Sequence, residues 1–344
     1  LATIVHDLRL SFRQWLPPVI SGIIAWLLFT LLGETPLIRA SGLALVIIGV
    51  ALSLRRMGAI LSIIGGLTLA LCAAFWSQTG GGNSEPATIT IAVILAAITA
   101  TLITLFARRI FVGIGIGVLI FVLIFWSQIG TPQSLRLSSL ATAWLTYLLI
   151  DMLLKTNPRP DSESGSVVRR EVQFQHKYGA LFLLTIGILN DPLITLLIPA
   201  IVLALLLTQK KFPTWYWVIV SIIAILGIWG IWSVYLDTPR MLIQINGWRD
   251  GARWLEIINL VVEQFSIMGI LLGILGLARL SRWYPPLGTV TMTAYAAFII
   301  FGLVYIGPNR ETLLLPLLII QIVWMTYAVY TIGQWAAKTI EKHG

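Results

Sequence analysis

Long apolar runs separated by short polar breaks dominate the chain. They fall at 14–33, 37–54, 57–77, 87–106, 110–128 and 137–154, and again at 178–190, 192–208, 213–236, 261–280, 287–306 and 312–335. A helix crosses a hydrocarbon core of about 30 Å with about 20 apolar residues. The pattern therefore predicts an all-α, polytopic membrane bundle of about 12 transmembrane segments. The polar stretch from Lys155 to Lys177, with Asn157-Pro158-Arg159-Pro160 and Ser162-Glu163-Ser164-Gly165-Ser166, has a linker composition. It divides the chain into an N-terminal membrane half, 1–154, a cytoplasmic linker, 155–177, and a C-terminal membrane half, 178–344.

Residues 178–208 read as a hairpin. Its arms are short, roughly 20 Å and 26 Å at 1.5 Å per residue. Asn190-Asp191-Pro192 supplies the break, with Asp191 as an N-cap and Pro192 as a first helical residue. One continuous helix is the competing reading and would invert everything downstream. Pro17-Pro18 is expected at the start of the first span, where proline is tolerated.

A different pattern occupies 240–262. Met241, Ile245, Trp248, Ala252, Leu255, Ile258 and Val262 recur at helical spacing, with Asn246, Arg249, Arg253, Glu256 and Asn259 opposite. This predicts an amphipathic helix lying in the membrane interface, weakened by Gly247 and Gly251. Starting the next span near Val261 keeps Glu263 out of mid-bilayer, where a charge costs on the order of 3 kcal/mol or more.

The first half also repeats. Arg55-Arg56 precedes an apolar run ending Phe75-Trp76-Ser77-Gln78, and Arg108-Arg109 precedes one ending Phe125-Trp126-Ser127-Gln128. Each unit is expected to be a helical hairpin of roughly 50 residues.

Composition narrows the chemistry. Hydrophobic residues make up 58% and charged residues 11%, so the solvent for most of the surface is lipid. One cysteine, Cys72, and three histidines, none in an apolar run, exclude disulfide frameworks, thiolate metal sites and bis-histidine haem within the spans. The net charge of +9 reads as topology rather than as a nucleic-acid footprint. With a cytoplasmic N-terminus, the hairpin reading puts 17 of the 23 lysines and arginines inside and 6 outside; the single-helix reading gives 15 and 8. Both termini are then cytoplasmic.

Four of the outer arginines, Arg240, Arg249, Arg253 and Arg310, fall in the second half, among carboxylates that include Glu34, Glu85, Glu256, Glu263 and Glu311. Guanidinium forks suit phosphate oxygens, so Arg249, Arg253 and Arg310 are candidate lipid-phosphate ligands. Arg253 could instead pair with Glu256 one turn on. Asn309, after Gly307-Pro308, is a candidate cap for the last helix. No cofactor is evident, and the carboxylates leave a divalent metal open.

Several segments carry a resemblance. Tyr305-Ile306-Gly307-Pro308-Asn309-Arg310-Glu311-Thr312 with Leu313-Leu314-Leu315-Pro316 and Ile322-Val323-Trp324, Glu263-Gln264-Phe265 leading to Leu272-Gly273, Leu184-Thr185-Ile186-Gly187, and Phe75-Trp76-Ser77-Gln78 with Glu85 occur in order. In patches over 40–125 and 178–336 the chain resembles a bacterial O-mannosyltransferase-like polytopic family of the C-type glycosyltransferase superfamily. The resemblance implies transfer of a sugar from a polyprenyl-phosphate donor on the extracytoplasmic side of a bacterial plasma membrane. It implies catalytic carboxylates, for which Glu85 by position and Glu34 in the first outer loop are the candidates. The chain departs from the family in that loop, which is only Gly33-Glu34-Thr35-Pro36. Either the family's acidic opening segment precedes Leu1, or the chain is a noncatalytic relative. An accessory subunit of a larger membrane complex and a lipid or solute transporter are the alternatives; membrane lipid or other membrane subunits are the expected partners.

Overall fold

The computed structural model describes residues 2–79, 115, 117, 137–156, 174–208, 212–236 and 242–343. The expected spans 87–106 and 110–128, the second copy of the repeat, Glu85 and most of the linker lie outside these residues. Among the described residues the architecture is helical, and its single β contact is an isolated antiparallel bridge between Ile243 and Tyr305.

The helices are α1 (Ala2–Leu31), α2 (Leu37–Leu54), α3 (Ala59–Ala70), α4 (Ala73–Trp76), α5 (Leu137–Thr156), α6 (Phe174–Asn190), α7 (Ile198–Leu207), α8 (Thr214–Ile231), α9 (Gly251–Trp283), α10 (Pro285–Val304), α11 (Arg310–Leu313) and α12 (Leu315–His343). Six of them contain segments long and apolar enough to cross a membrane, or seven segments if α3 and the bent Ala73–Thr79 piece form one span. This is fewer than the expected twelve. Tyr178–Asn190 and Pro192–Leu207 are too short to cross alone, Leu137–Thr156 is not among the qualifying segments, and two expected spans are not described. The several long apolar helices fit an integral membrane protein.

The chain reverses at Asp191. Asp191 caps the following turn, accepting from Leu193 N at 3.0 Å with Pro192 next to it. Ile194 folds back against Gly187, whose own neighbour is Ala141 near the start of α5. Farther on, Leu197 and Ala200 reach Leu149, Ile150 and Leu287. The short arms therefore run antiparallel, as the Asn-Asp-Pro signal predicts, and a single long helix is not what forms.

Two expectations about helix ends change. Pro17 and Pro18 lie inside α1, which begins well before them. The amphipathic stretch is not one helix from 240: residues Ile245–Arg249 form a 3-10 turn, and α9 starts at Gly251 under an Asp250 cap. Gly247 and Gly251 mark that start instead of weakening an interior. Gly247 is needed there because a side chain would collide with the Leu303 carbonyl.

α9 then breaks at Ser266, whose φ of 61° and ψ of 176° are non-helical. The break comes five residues after the expected span start at Val261. It leaves 267–283 as the spanning part, roughly 25 Å long. That part packs on α12 through Gly269, Gly273 and Gly276. A methyl at Gly276 would meet the Trp324 carbonyl, and Gln321, buried in α12, donates Nε2 to Gly269 O at 2.9 Å. Small residues let backbones approach this closely in lipid, where packing and hydrogen bonds hold helices together.

The bundle has two distinct ends. At one, Arg55, Arg56 and Lys155 surround Asp151, and Tyr284 Oη donates to Leu153 O at 2.6 Å. At the other, Arg39 donates to the Gln78 carbonyl, and Tyr235 meets Tyr305 with ring centres 5.9 Å apart.

Candidate functional site

The end opposite Asp151 holds the candidate site. It begins with the backbone of 242–244, which pairs with 304–306: Gln244 N donates to Val304 O at 2.7 Å and Ile306 N to Leu242 O at 2.9 Å. That pairing pins the start of the amphipathic segment across the end of α10. Asp250 Oδ1 then accepts from Ala252 N at 3.0 Å and launches α9.

On the first part of α9, residues 251–265, the two faces separate as the spacing predicts. Ile245, Trp248, Leu255 and Ile258 are 46–71% exposed. Such an exposed apolar stripe suits the acyl boundary of a bilayer. Arg253, Glu256, Asn259 and Glu263 share the opposite side and line a cavity of about 680 Å³. Its far wall is Ser77 and the 305–312 loop, including Asn309, Arg310 and Glu311. One helix thus separates a polar chamber from an exposed apolar surface.

The arginines are held firmly. Arg310 donates Nε to Gly302 O at 3.1 Å and a terminal nitrogen to the same oxygen at 2.6 Å. Its other terminal nitrogen pairs with Glu256. Arg253 donates to Leu303 O at 3.1 Å, to Tyr305 O at 3.4 Å and to Gln244 Oε1 at 3.0 Å. The last turn of a helix leaves carbonyls without intrahelical partners, and two guanidiniums satisfy those at the end of α10. The Arg253–Glu256 pair expected from their spacing does not form: Arg253 turns to the carbonyls and Glu256 crosses to Arg310. Asn309 does not cap with its side chain. It sits at φ 58°, in the left-handed region, and turns the chain into α11.

Other predicted residues lie elsewhere. Arg249 stacks its guanidinium 5.0 Å from the Trp248 ring centre, beside the cavity's lining rather than in it. Glu34 is exposed in the α1–α2 turn, at φ 47°, and does not line the cavity. Glu85 falls outside the described residues. Among the described residues no group of three or more His, Cys, Asp or Glu is placed to hold a metal.

Comparison with protein families, with curated proteins and with solved structures finds no match to this chain. The site must be read from its own geometry.

One participant, Gln264, carried no expected role in the sequence beyond its place in a segment of the resemblance. Gln264 Oε1 accepts from Cys72 Sγ at 2.8 Å and from Ala74 N at 2.9 Å. It ties the cavity helix to the 63° bend between α3 and Ala73–Thr79, whose Ser77 reaches the cavity.

Proposed function

We propose that this cavity receives the sugar-phosphate head of a polyprenyl-phosphate donor, and that the chain transfers the sugar, as the family it resembles does. The observation that carries the reading is the division made by α9: polar chamber on one side, exposed apolar stripe on the other. An amphiphile with a hydrophilic head and an isoprenoid tail needs both surfaces at one place.

The chemistry follows from the groups around the chamber. The Arg310–Glu256 pair is partly exposed, and such pairs are worth about 0–1 kcal/mol. A phosphodiester monoanion makes a strong charge-assisted hydrogen bond to a guanidinium nitrogen, so it would take the Arg310 nitrogen that Glu256 holds with little penalty while the carbonyl bonds keep Arg310 in place. Arg253 lines the same chamber. During transfer, an acceptor hydroxyl gives its proton to a carboxylate. Its oxygen bonds to the anomeric carbon as the bond to phosphate breaks, and the lipid phosphate leaves. Glu263 and Glu311 are the cavity carboxylates available as base; Glu34 lies outside the chamber in this arrangement. In this reading the Asp151 end faces the cytoplasm of a bacterial plasma membrane, both termini included, and the chain crosses about 12 times.

The test is binding in nanodiscs with a short prenyl phosphate carrying glucose. The wild-type protein should saturate, and Arg310→Gln should weaken binding at least about tenfold, the loss of a charged hydrogen bond. Absence of saturable binding, or an unchanged affinity in that variant, rejects the reading. An accessory-subunit role is favoured by one observation: only 17% of the Thr214–Leu236 segment is buried, with Trp215, Trp229 and Trp232 exposed.

A further inference from the structure

At the opposite end of the bundle, α2 ends in the turn Arg55–Met57, and α5 brings Asp151 beneath it. Asp151 is buried, its side chain only 3% exposed. Arg55 and Arg56 both donate to its Oδ1, at 2.8 Å and 3.0 Å. Arg55 also lies 5.2 Å from the Tyr147 ring centre, which fixes its plane. Two adjacent guanidiniums would otherwise repel and spread. One shared oxygen draws them together and leaves them side by side.

A guanidinium has five N–H donors, and Asp151 takes one nitrogen from each. The side chain of Arg56 is 43% exposed, so its remaining donors face outward. Apolar side chains lie exposed on the helices next to this turn. Ile60 and Ile64 of α3 are 73% and 54% exposed, and Leu16, Ile20 and Ile23 of α1 are exposed too. α1 and α3 pack together here, with Ser21 Oγ donating to Ile63 O at 3.3 Å. A paired positive fork therefore stands at the head of a greasy two-helix face. Phosphate diesters match paired guanidiniums, and acyl chains match the face.

We propose that the Arg55–Arg56 turn binds the phosphodiester headgroup of an anionic membrane phospholipid, with its acyl chains along the exposed faces of α1 and α3. Charge complementarity selects this occupant. Asp151 offsets only one of the three cations Arg55, Arg56 and Lys155, so a neutral protein segment would leave the excess positive charge unbalanced, and a zwitterionic lipid brings its own cation next to it. The proposal is independent of the sugar-transfer reading, because no residue is shared with the cavity.

The test uses the full chain in detergent micelles with phosphatidylglycerol, with phosphatidylcholine and with inorganic phosphate alone, read by native mass spectrometry. Phosphatidylglycerol should be retained in preference to phosphatidylcholine, and inorganic phosphate should not displace it. Arg56→Gln should weaken retention about tenfold, while Arg282→Gln, which removes an exposed cation at the same end, should retain lipid as wild type does. Equal retention of phosphatidylcholine overturns the proposal. So does displacement by inorganic phosphate, which would mark a free-anion site. Equal loss in Arg282→Gln would mark diffuse charge and also overturn it. Should Arg56→Gln fail to fold, Arg56→Lys keeps the charge without the fork; it should hold the lipid more weakly, and unchanged retention counts against the proposal.

Discussion

The two ends of the bundle use charge in opposite ways. At the Asp151 end, three cations converge on one buried carboxylate, so side chain locks side chain. At the cavity end, Arg253 and Arg310 spend most of their donors on the carbonyls of Gly302, Leu303 and Tyr305, so side chain locks backbone. The first arrangement gathers an excess of cations around one carboxylate. The second holds its arginines on backbone, so Glu256, the cavity carboxylate paired with Arg310, is not needed to keep that arginine in place.

Removing the central charge from the Asp151 end should have the largest effect. Asp151→Asn leaves Arg55, Arg56 and Lys155 facing one another without their counterion, and breaking a buried pair costs about 3 kcal/mol. Unfolding of the purified protein in mixed micelles should show it. A change below about 1 kcal/mol would mean that the cluster is solvated like a surface pair, and the contrast between ends would collapse.

Arg310→Ala comes next. Freeing the Gly302 carbonyl should cost about 2 kcal/mol, the value of a charge-assisted hydrogen bond. Arg310→Lys should recover only part of it, since an ammonium lacks the fork. Ser266→Gly should act in the other direction, raising stability by about 1 kcal/mol, because a left-handed φ is strained for serine and easy for glycine. The smallest change belongs to Glu256→Gln. Its partly exposed pair predicts a loss under about 1 kcal/mol, measured in the same micelles. A much larger loss would show that the cavity end depends on its carboxylates as the other end depends on Asp151.

What the sequence revealed follows the same line. Side-chain signals were legible. Asp191-Pro192 announced the reversal, and the faces of 240–262 announced a helix with one greasy and one polar side, of which the α-helical part starts only at Gly251. Partners on the backbone were not legible. The spacing of Arg253 and Glu256 favours a pair, but the unsatisfied carbonyls at the end of α10 compete for the guanidinium, and carbonyls look alike in every residue. Ser266 gave no warning either, since serine is not a helix breaker by composition. The lipid-phosphate candidates Arg253 and Arg310 do meet around one chamber, whereas Arg249 and Glu34 do not line it. The count of about 12 spans rested on apolar length alone; among the described residues six helices, or seven segments with the bent pair, are long and apolar enough.

The bend after α3 bears on how the protein is made. Its Ala74 N–H finds its partner in Gln264, 190 residues later. Translation at about 5–20 residues per second delivers that glutamine roughly 10–40 s after the bend is synthesised. Until then the Ala74 N–H and the Cys72 thiol lack this partner, so the bend reaches its final form only once the second half of the chain is in place.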